Sequence, residues 1–247
     1  MTSVDVVVPV YNEERALPQS VPVLRDFLAG PDFPLDWRIV IADNASTDNT
    51  PAVGNELAGA YSVHVEYVRI ERKGRGFALK QTWLASPMDI VSYMDVDLST
   101  GLEAFPPLIG AIANGGYDVA IGSRLASQSE ITRSLKRRVL TRGYNTLIKA
   151  MFGTRFSDAQ CGFKAVSREA AQKIVPLIED NNWFFDTELL ILAEKMGYRV
   201  KDVPVKWVED MDTRVKIAAT VTEDLRGLLR LRTGRPWQRA NGKLKND

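Results

Sequence analysis

Two aspartates one residue apart, Asp95 and Asp97, close the run Asp89-Ile-Val-Ser-Tyr-Met-Asp-Val-Asp-Leu-Ser99. A short apolar run bounded by polar residues reads as a buried strand. Side chains at i and i+2 of a strand share a face, so the carboxylates converge if the strand stays extended, or a loop turns both toward one ligand. Neighbouring carboxylates repel, and one takes up a proton unless a cation lies between them. A hard divalent ion resolves the conflict: Mg²⁺ uses one or two carboxylates together with substrate phosphate oxygens, and Mn²⁺ suits the same ligands. A solvated strand-to-turn junction would use the same residue types, so the pair needs support from the rest of the chain.

Other catalytic chemistries are poorly supplied. Cys161 is the only cysteine and His64 the only histidine, which excludes an internal disulfide and any site built on two histidines. His64 reads as structural, and the lone thiol fits a reducing compartment. The 247 residues carry a formal net charge of +1, so the chain as a whole offers no polyanion-binding surface and no nucleic-acid partner is expected. Charge is nevertheless local: residues 124–142 hold six Lys/Arg against one acidic residue, and residues 213–247 hold nine against three. No signal peptide is expected, nor any run of about 18 apolar residues that would span a membrane.

The elements that must position these groups alternate. Strands are expected at Val4 to Val10, Trp37 to Ala42, Val63 to Ile70, Asp89 to Met94 and Asp118 to Gly122, separated by helices to Leu28, over Pro51 to Ala60, through Ala85 and over Glu103 to Asn114. Asn12 is the expected cap of the first helix, and Asp43 to Thr50 a polar cluster capping the second. The alternation predicts an α/β chain with a parallel, doubly wound sheet, in which ligands bind beyond the carboxyl ends of the strands. Each polar cluster falls at such an end. Lys73 and Arg75 sit on a glycine turn before a helix, where backbone N–H groups can meet a phosphate. Further on, Leu135 to Phe152 reads as a basic amphipathic helix, Ser157 to Ala165 as a loop returning to a strand, Ser167 to Ile178 and Asp186 to Met196 as helices, Arg199 to Val208 as an edge strand and Thr213 to Arg232 as a last helix. Residues 1–212 are expected to form the catalytic domain, and 213–247 a basic amphipathic helix and tail.

Taken in order, Pro9-Val10-Tyr11-Asn12-Glu13, Asp43-x-x-Ser46-x-Asp48-x-Thr50, Lys73-Gly74-x-Gly76, Asp95-x-Asp97, Gly122-Ser123-Arg124 and Asp158-x-x-Cys161-Gly162-Phe163 resemble the motifs of family 2 glycosyltransferases of the GT-A fold. Trp183 to Leu190 is similar to a segment of the polyprenyl-phosphate (dolichyl-phosphate) sugar synthases of glucose type. Mannose-type members carry Gln two residues after the second Asp, where this chain has Ser99.

The resemblance implies a Rossmann-like, mostly parallel sheet and a metal-dependent, inverting transfer of a hexose from a nucleotide sugar to a polyprenyl phosphate. UDP-glucose leads as donor, with UDP-GalNAc, UDP-galactose and GDP-mannose behind it. Asp97 is implied as direct ligand of Mg²⁺ or Mn²⁺, with Ser99 beside it and Asp95 either on the ribose or on the metal through water. Pro9, Tyr11 and Glu13 are implied to form the nucleoside pocket and Asp43 to hold the base edge, with Lys73, Arg75, Asp95 and Val96 among the nucleotide-sugar contacts. Arg124, Arg137 and Arg138 are the candidates for the donor diphosphate and acceptor phosphate, and Asp158 or Asp186 would be the nearest base if the reaction uses one. The helices at 135–152 and 215–232 are expected to rest on anionic lipid, at the cytoplasmic face of a membrane. A nucleotidyltransferase or dinucleotide dehydrogenase would need a glycine-rich turn after the first strand, where Pro-Val-Tyr-Asn-Glu stands; a glycan hydroxyl remains the competing acceptor, and a non-catalytic peripheral membrane protein the competing class.

Overall fold

The computed structural model describes residues 2–132, 135–208 and 217–238. The chain alternates β1 (Ser3–Val10), α1 (Leu17–Leu28), β2 (Asp36–Asn44), α2 (Thr50–Ala60), β3 (Val65–Ile70), α3 (Arg75–Ala85), β4 (Ile90–Met94), α4 (Phe105–Ala113) and β5 (Val119–Ser123). Then follow β6 (Glu130–Thr132), α5 (Leu135–Phe152), β7 (Phe163–Ser167), α6 (Arg168–Ile174), α7 (Phe185–Lys195), β8 (Val200–Pro204), β9 (Lys206–Val208) and α8 (Ile217–Gly234).

Seven strands form one sheet in the order β3-β2-β1-β4-β7-β5-β8, parallel except for β7, and β6 pairs with β9 in a small second sheet. Alternate residues of each strand feed two cores, as the two-residue period requires. Val4, Val6 and Val8 of β1 with Ile39 and Ile41 of β2 face Leu17, Val21 and Leu24 of α1 and Phe105, Leu108 and Ile109 of α4. Val7, Val40 and Tyr93 face the other way, toward Trp83 of α3, Leu189 to Leu192 of α7 and Leu228 of α8. The result is a three-layer sandwich whose order reverses between β1 and β4, the position at which open α/β sheets bind ligands.

Two local expectations are corrected. Asn12 does not cap α1; it stands at a positive φ of 57°, which Asn tolerates, donates its N–H to Ser46 Oγ at 2.9 Å and accepts the Thr47 N–H at 2.8 Å. It therefore ties the loop after β1 to the loop after β2. The strand expected over 199–208 divides at Val205 into the sheet edge β8 and the separate β9. The sheet is mostly parallel, as expected; its one reversed strand, β7, follows a loop that leaves α5 and is still at the carboxyl edge where Asp158 meets Arg124, so β7 runs back. His64 stacks on Trp37 with ring centroids 4.2 Å apart, the structural role expected of it.

The buried ring of Phe105 packs against Phe33 and Phe163. Phe105→Ala is expected to cost about 3–5 kcal/mol, the range for removing an aromatic side chain from a packed core, read as a lower urea midpoint with an unchanged m-value.

Candidate active site

The chain turns immediately after β4: the Leu98 N–H returns to the Asp95 carbonyl at 3.2 Å, and Leu98 adopts a φ of 50°. The two aspartates are thus arranged by a turn rather than an extended strand. Asp97 Oδ1 accepts the Ser99 N–H at 2.9 Å, and the Ser99 carbonyl accepts the Val208 N–H, so β9 braces the turn from outside. Asp95 keeps 42% of its side chain exposed. A Cβ on Gly162 would lie 1.8 Å from Asp95 Oδ2, so only glycine there leaves room for the carboxylate.

Behind Asp95 lies a buried charge network. Arg75 donates to Asp95 Oδ1 and to Asp186 Oδ2, each at 2.8 Å, with its guanidinium over the rings of Tyr93 and Trp183. Lys164 reaches Asp186 Oδ1 at 2.9 Å and the Cys161 carbonyl at 2.5 Å, and Tyr93 donates its hydroxyl to Asp186. Burial alone would raise the pKa of Asp186, but Lys164 and Arg75 outweigh it and hold the carboxyl below its ordinary value. Tyr93 is pushed upward, mainly by burial.

A second clamp flanks the turn on the other side. Asp158, fully buried, receives Arg124 Nε at 2.7 Å and Nη2 at 2.9 Å, a bidentate pair, while the Arg124 N–H also donates to it. Burial opposes the charge here too, and Arg124 overcomes it, leaving the Asp158 pKa lowered. Burial pushes the neighbouring Cys161 thiol up to about 12, so it is no nucleophile. Arg124 opens on a cavity of about 270 Å³ lined also by Ser127, Ser129, Arg138 and Arg142. Arg137 belongs to α5, its side chain lying outside the described residues.

At the end of β1, Lys73 Nζ stands 3.7 Å from the centroid of the Tyr11 ring; its hydrogen bond and charge lower the Tyr11 pKa. The Glu13 N–H donates to Thr50 Oγ1 at 2.8 Å. Pro9 is the penultimate residue of β1, and Val96 follows Asp95 into the turn. Asp43 is enclosed: it accepts the Ser46 N–H, the Tyr67 hydroxyl at 2.6 Å and Arg69 at 2.7 Å. Despite burial, these bonds lower its pKa. To reach a base edge, one of them has to give way.

The turn at Lys73 to Gly76 differs from its sequence reading. Gly74 donates its N–H to Asn44 Oδ1 at 2.6 Å and Phe77 donates to the Asn181 carbonyl, so these amides are not available to a phosphate. Glycine is needed because the 181–185 segment presses on it: a Cβ on Gly76 would lie 2.7 Å from Phe185 Cβ. Arg75 points inward instead of outward. The structure therefore gathers Asp95, Arg75 and Asp186 into one cluster and Arg124, Asp158 and Arg138 around another, with Tyr11 and Lys73 at a third edge. Reasoning from sequence missed Tyr93, Lys164 and Arg142; Tyr93 was two residues ahead of Asp95 on the strand, and Arg142 lay inside the basic stretch.

Residues 5–175 match the model of glycosyl transferase family 2. The chain is 36% identical to glycosyltransferase AglD of Haloferax volcanii over 88% of its own length, but spans only 35% of that relative. It is 32% identical to the dolichyl-phosphate beta-glucosyltransferase of Saccharomyces cerevisiae, covering 86% of this chain and 69% of that one. Among solved structures, glucosyl-3-phosphoglycerate synthase from Mycobacterium tuberculosis in complex with UDP superposes with a TM-score of 0.71 at 20% identity, over 94% of this chain and 80% of that one.

Asp186→Asn leaves Lys164 and Arg75 facing a neutral group in a dry site. Breaking a buried ion pair from one side costs about 3–5 kcal/mol, which chemical denaturation is expected to show. Asp158 and Asp186 have lowered pKa values, so their stabilisation is complete above the ordinary carboxylate value of about 3.9 and is lost as pH falls through the lower folded values. Stability measured against pH should fall less steeply on the acid side in Asp158→Asn than in the parent.

Proposed function

The chain belongs to glycosyl transferase family 2, and from that premise we propose that it transfers a hexose, with inversion, from a nucleotide sugar to the phosphate of a polyprenyl lipid, UDP-glucose being the favoured donor. The observation that carries this reading is the arginine-lined cavity of Arg124, Arg138 and Arg142, the last two on α5, a helix that also exposes apolar side chains. On α5, Val139, Leu140 and Leu147 are exposed, and on α8, Val221, Leu225 and Leu229 recur every four residues in the open, Leu229 at 60% exposure. No helix among the described residues is long and apolar enough to cross a membrane. An apolar stripe next to arginines suits a lipid surface and the phosphate at its boundary, which on this reading is the cytoplasmic side of a membrane. Relatives named dolichyl-phosphate beta-glucosyltransferase support the same acceptor.

The residues present fit a divalent cation: two carboxylates on one turn, both reached by solvent, with Asp95 in a cradle that a Gly162 Cβ would fill. Asp97 and Asp95, with Ser99, would hold Mg²⁺ or Mn²⁺, and that ion would neutralise charge developing on the leaving diphosphate. Lys73 and Tyr11 bound the nucleoside end, with Pro9, Glu13 and Asp43 behind them. Arg75 stays paired, so its role is to hold Asp95 in orientation and add positive potential beneath the diphosphate. Arg124, fixed by Asp158, and Arg138 and Arg142 grip the acceptor phosphate, for which Arg geometry is suited. That phosphate is already largely ionised near neutral pH, since the second pKa of a monoester is about 6. No strong base is required, which agrees with two buried aspartates that are ionised and committed to cations.

Incubating the protein with Mn²⁺ or Mg²⁺, a short polyprenyl phosphate and each nucleotide sugar in turn is expected to yield lipid-dependent nucleoside diphosphate and glycolipid from one donor. Release with a soluble phosphate monoester but not with lipid would keep the phosphate site and remove the lipid. Asp97→Ala should reduce turnover on the order of 10²-fold at saturating metal. Arg138→Ala and Arg142→Ala should each raise the lipid KM by about tenfold, as expected for a lost charge-assisted hydrogen bond. Flotation with anionic liposomes should retain the parent chain and lose one in which the exposed Val221, Leu225 and Leu229 are all changed to Ser, a change that leaves the buried side of α8 intact; equal partitioning of the two would remove the C-terminal helix from the membrane contact.

A further inference from the structure

Asp224 is an acidic side chain on the inner face of α8, only 4% exposed. Its Oδ2 accepts the side-chain N–H of Gln160 at 3.1 Å, and Tyr144 of α5, whose hydroxyl bonds with Thr187 Oγ1 at 3.0 Å, lies close enough to interact with it. Gln160 also donates its backbone N–H to Asp158 Oδ1 at 3.2 Å, and the next residue but one is Gly162, against which Asp95 rests. From α5, Asn145 Oδ1 receives the Ala159 N–H at 2.9 Å. The loop that orients Arg124 and backs Asp95 is thus held between two helices that carry the exposed apolar stripes.

We propose that Asp224 is a positioning residue for the transfer reaction: through Gln160 it fixes the 158–162 loop to α8, so that seating of this helix sets the aim of Arg124 and the position of Asp95. It rests on the reading of Arg124 as a phosphate ligand. The groups facing Asp224 are Tyr144 from α5, Gln160 from the loop, Glu223 on its own helix, and Asp180 and Asp186 from the α7 side. Burial raises its pKa to about 7, opposed by the nearby Tyr144 hydroxyl and aided by the repulsion of Asp180, Glu223 and Asp186. Its folded pKa exceeds the unfolded value of about 3.9, so the stabilisation of the seated helix is complete below that value and is lost as pH rises to about 7.

The test compares Asp224→Asn, which keeps an acceptor for Gln160 but cannot ionise, with Asp224→Ala, both in the full chain. Hydrogen exchange of the 158–162 amides without substrate should speed up in Asp224→Ala. Its kcat should fall by about 10- to 100-fold, the scale of a misplaced reacting group, with the nucleotide-sugar KM unchanged. Asp224→Asn should restore both, and should flatten the pH dependence of kcat between about pH 5.5 and 8. Unchanged exchange and kcat in Asp224→Ala, equal losses in the two variants, or identical pH profiles for parent and Asp224→Asn would each overturn the proposal. If Asp224→Ala does not fold, the Asp224→Asn profile decides. If the parent transfers nothing to lipid, the proposed acceptor fails while the exchange comparison still reads the coupling.

Discussion

A single buried carboxylate organises the centre of this molecule. Asp186, at the start of α7, is shut away from water, where an unpaired charge would cost several kcal/mol. It is tolerated because Lys164 from β7 and Arg75 from α3 supply two positive charges and Tyr93 from β4 a hydroxyl. Four elements distant in sequence are thereby forced into one geometry. Arg75, once held there, has a second fork to offer, and it goes to Asp95. The orientation of the Asp95 carboxylate on the carboxyl edge is thus inherited from a charge balance inside the protein.

The same logic recurs at Asp158 and Arg124, with a different outcome. There the carboxylate takes two guanidinium nitrogens and leaves the arginine at the wall of a cavity shared with Arg138 and Arg142. One clamp therefore steadies an acidic turn and the other presents positive charge beside it. The loop between Asp158 and Gly162 touches both, and α8 reaches it through Asp224. Arg230 of α8 also grips the buried Glu188 of α7 with two bonds of 2.9 Å, so the C-terminal helix is anchored in the catalytic layer rather than appended to it.

Much of the architecture was legible in the chain. Alternating apolar runs and polar ends identified five strands of the main sheet within a few residues, because burial on both faces demands near-continuous Val and Ile. The reversed direction of β7 was not legible: Phe163 to Ser167 has the same pattern whichever way it runs, and direction depends on where the preceding loop arrives. Asn12 failed as a cap for a related reason. Its preference for turns is local, but which turn it serves was decided by Ser46 and Thr47, more than thirty residues away.

By itself, then, the sequence determined the secondary-structure order, the placement of polar clusters at strand ends and the residue types able to meet metal, nucleotide and phosphate, since these follow from period, burial and side-chain chemistry. Only the tertiary structure decided which of those charges face outward. Arg75 and Arg124 look alike in the chain, each beside a glycine or serine at a strand-end loop, yet Arg75 is spent on Asp95 and Asp186 while Arg124 borders an open cavity. That distinction comes from partners brought together by the sheet order, and desolvation leaves a buried arginine no choice but to find them.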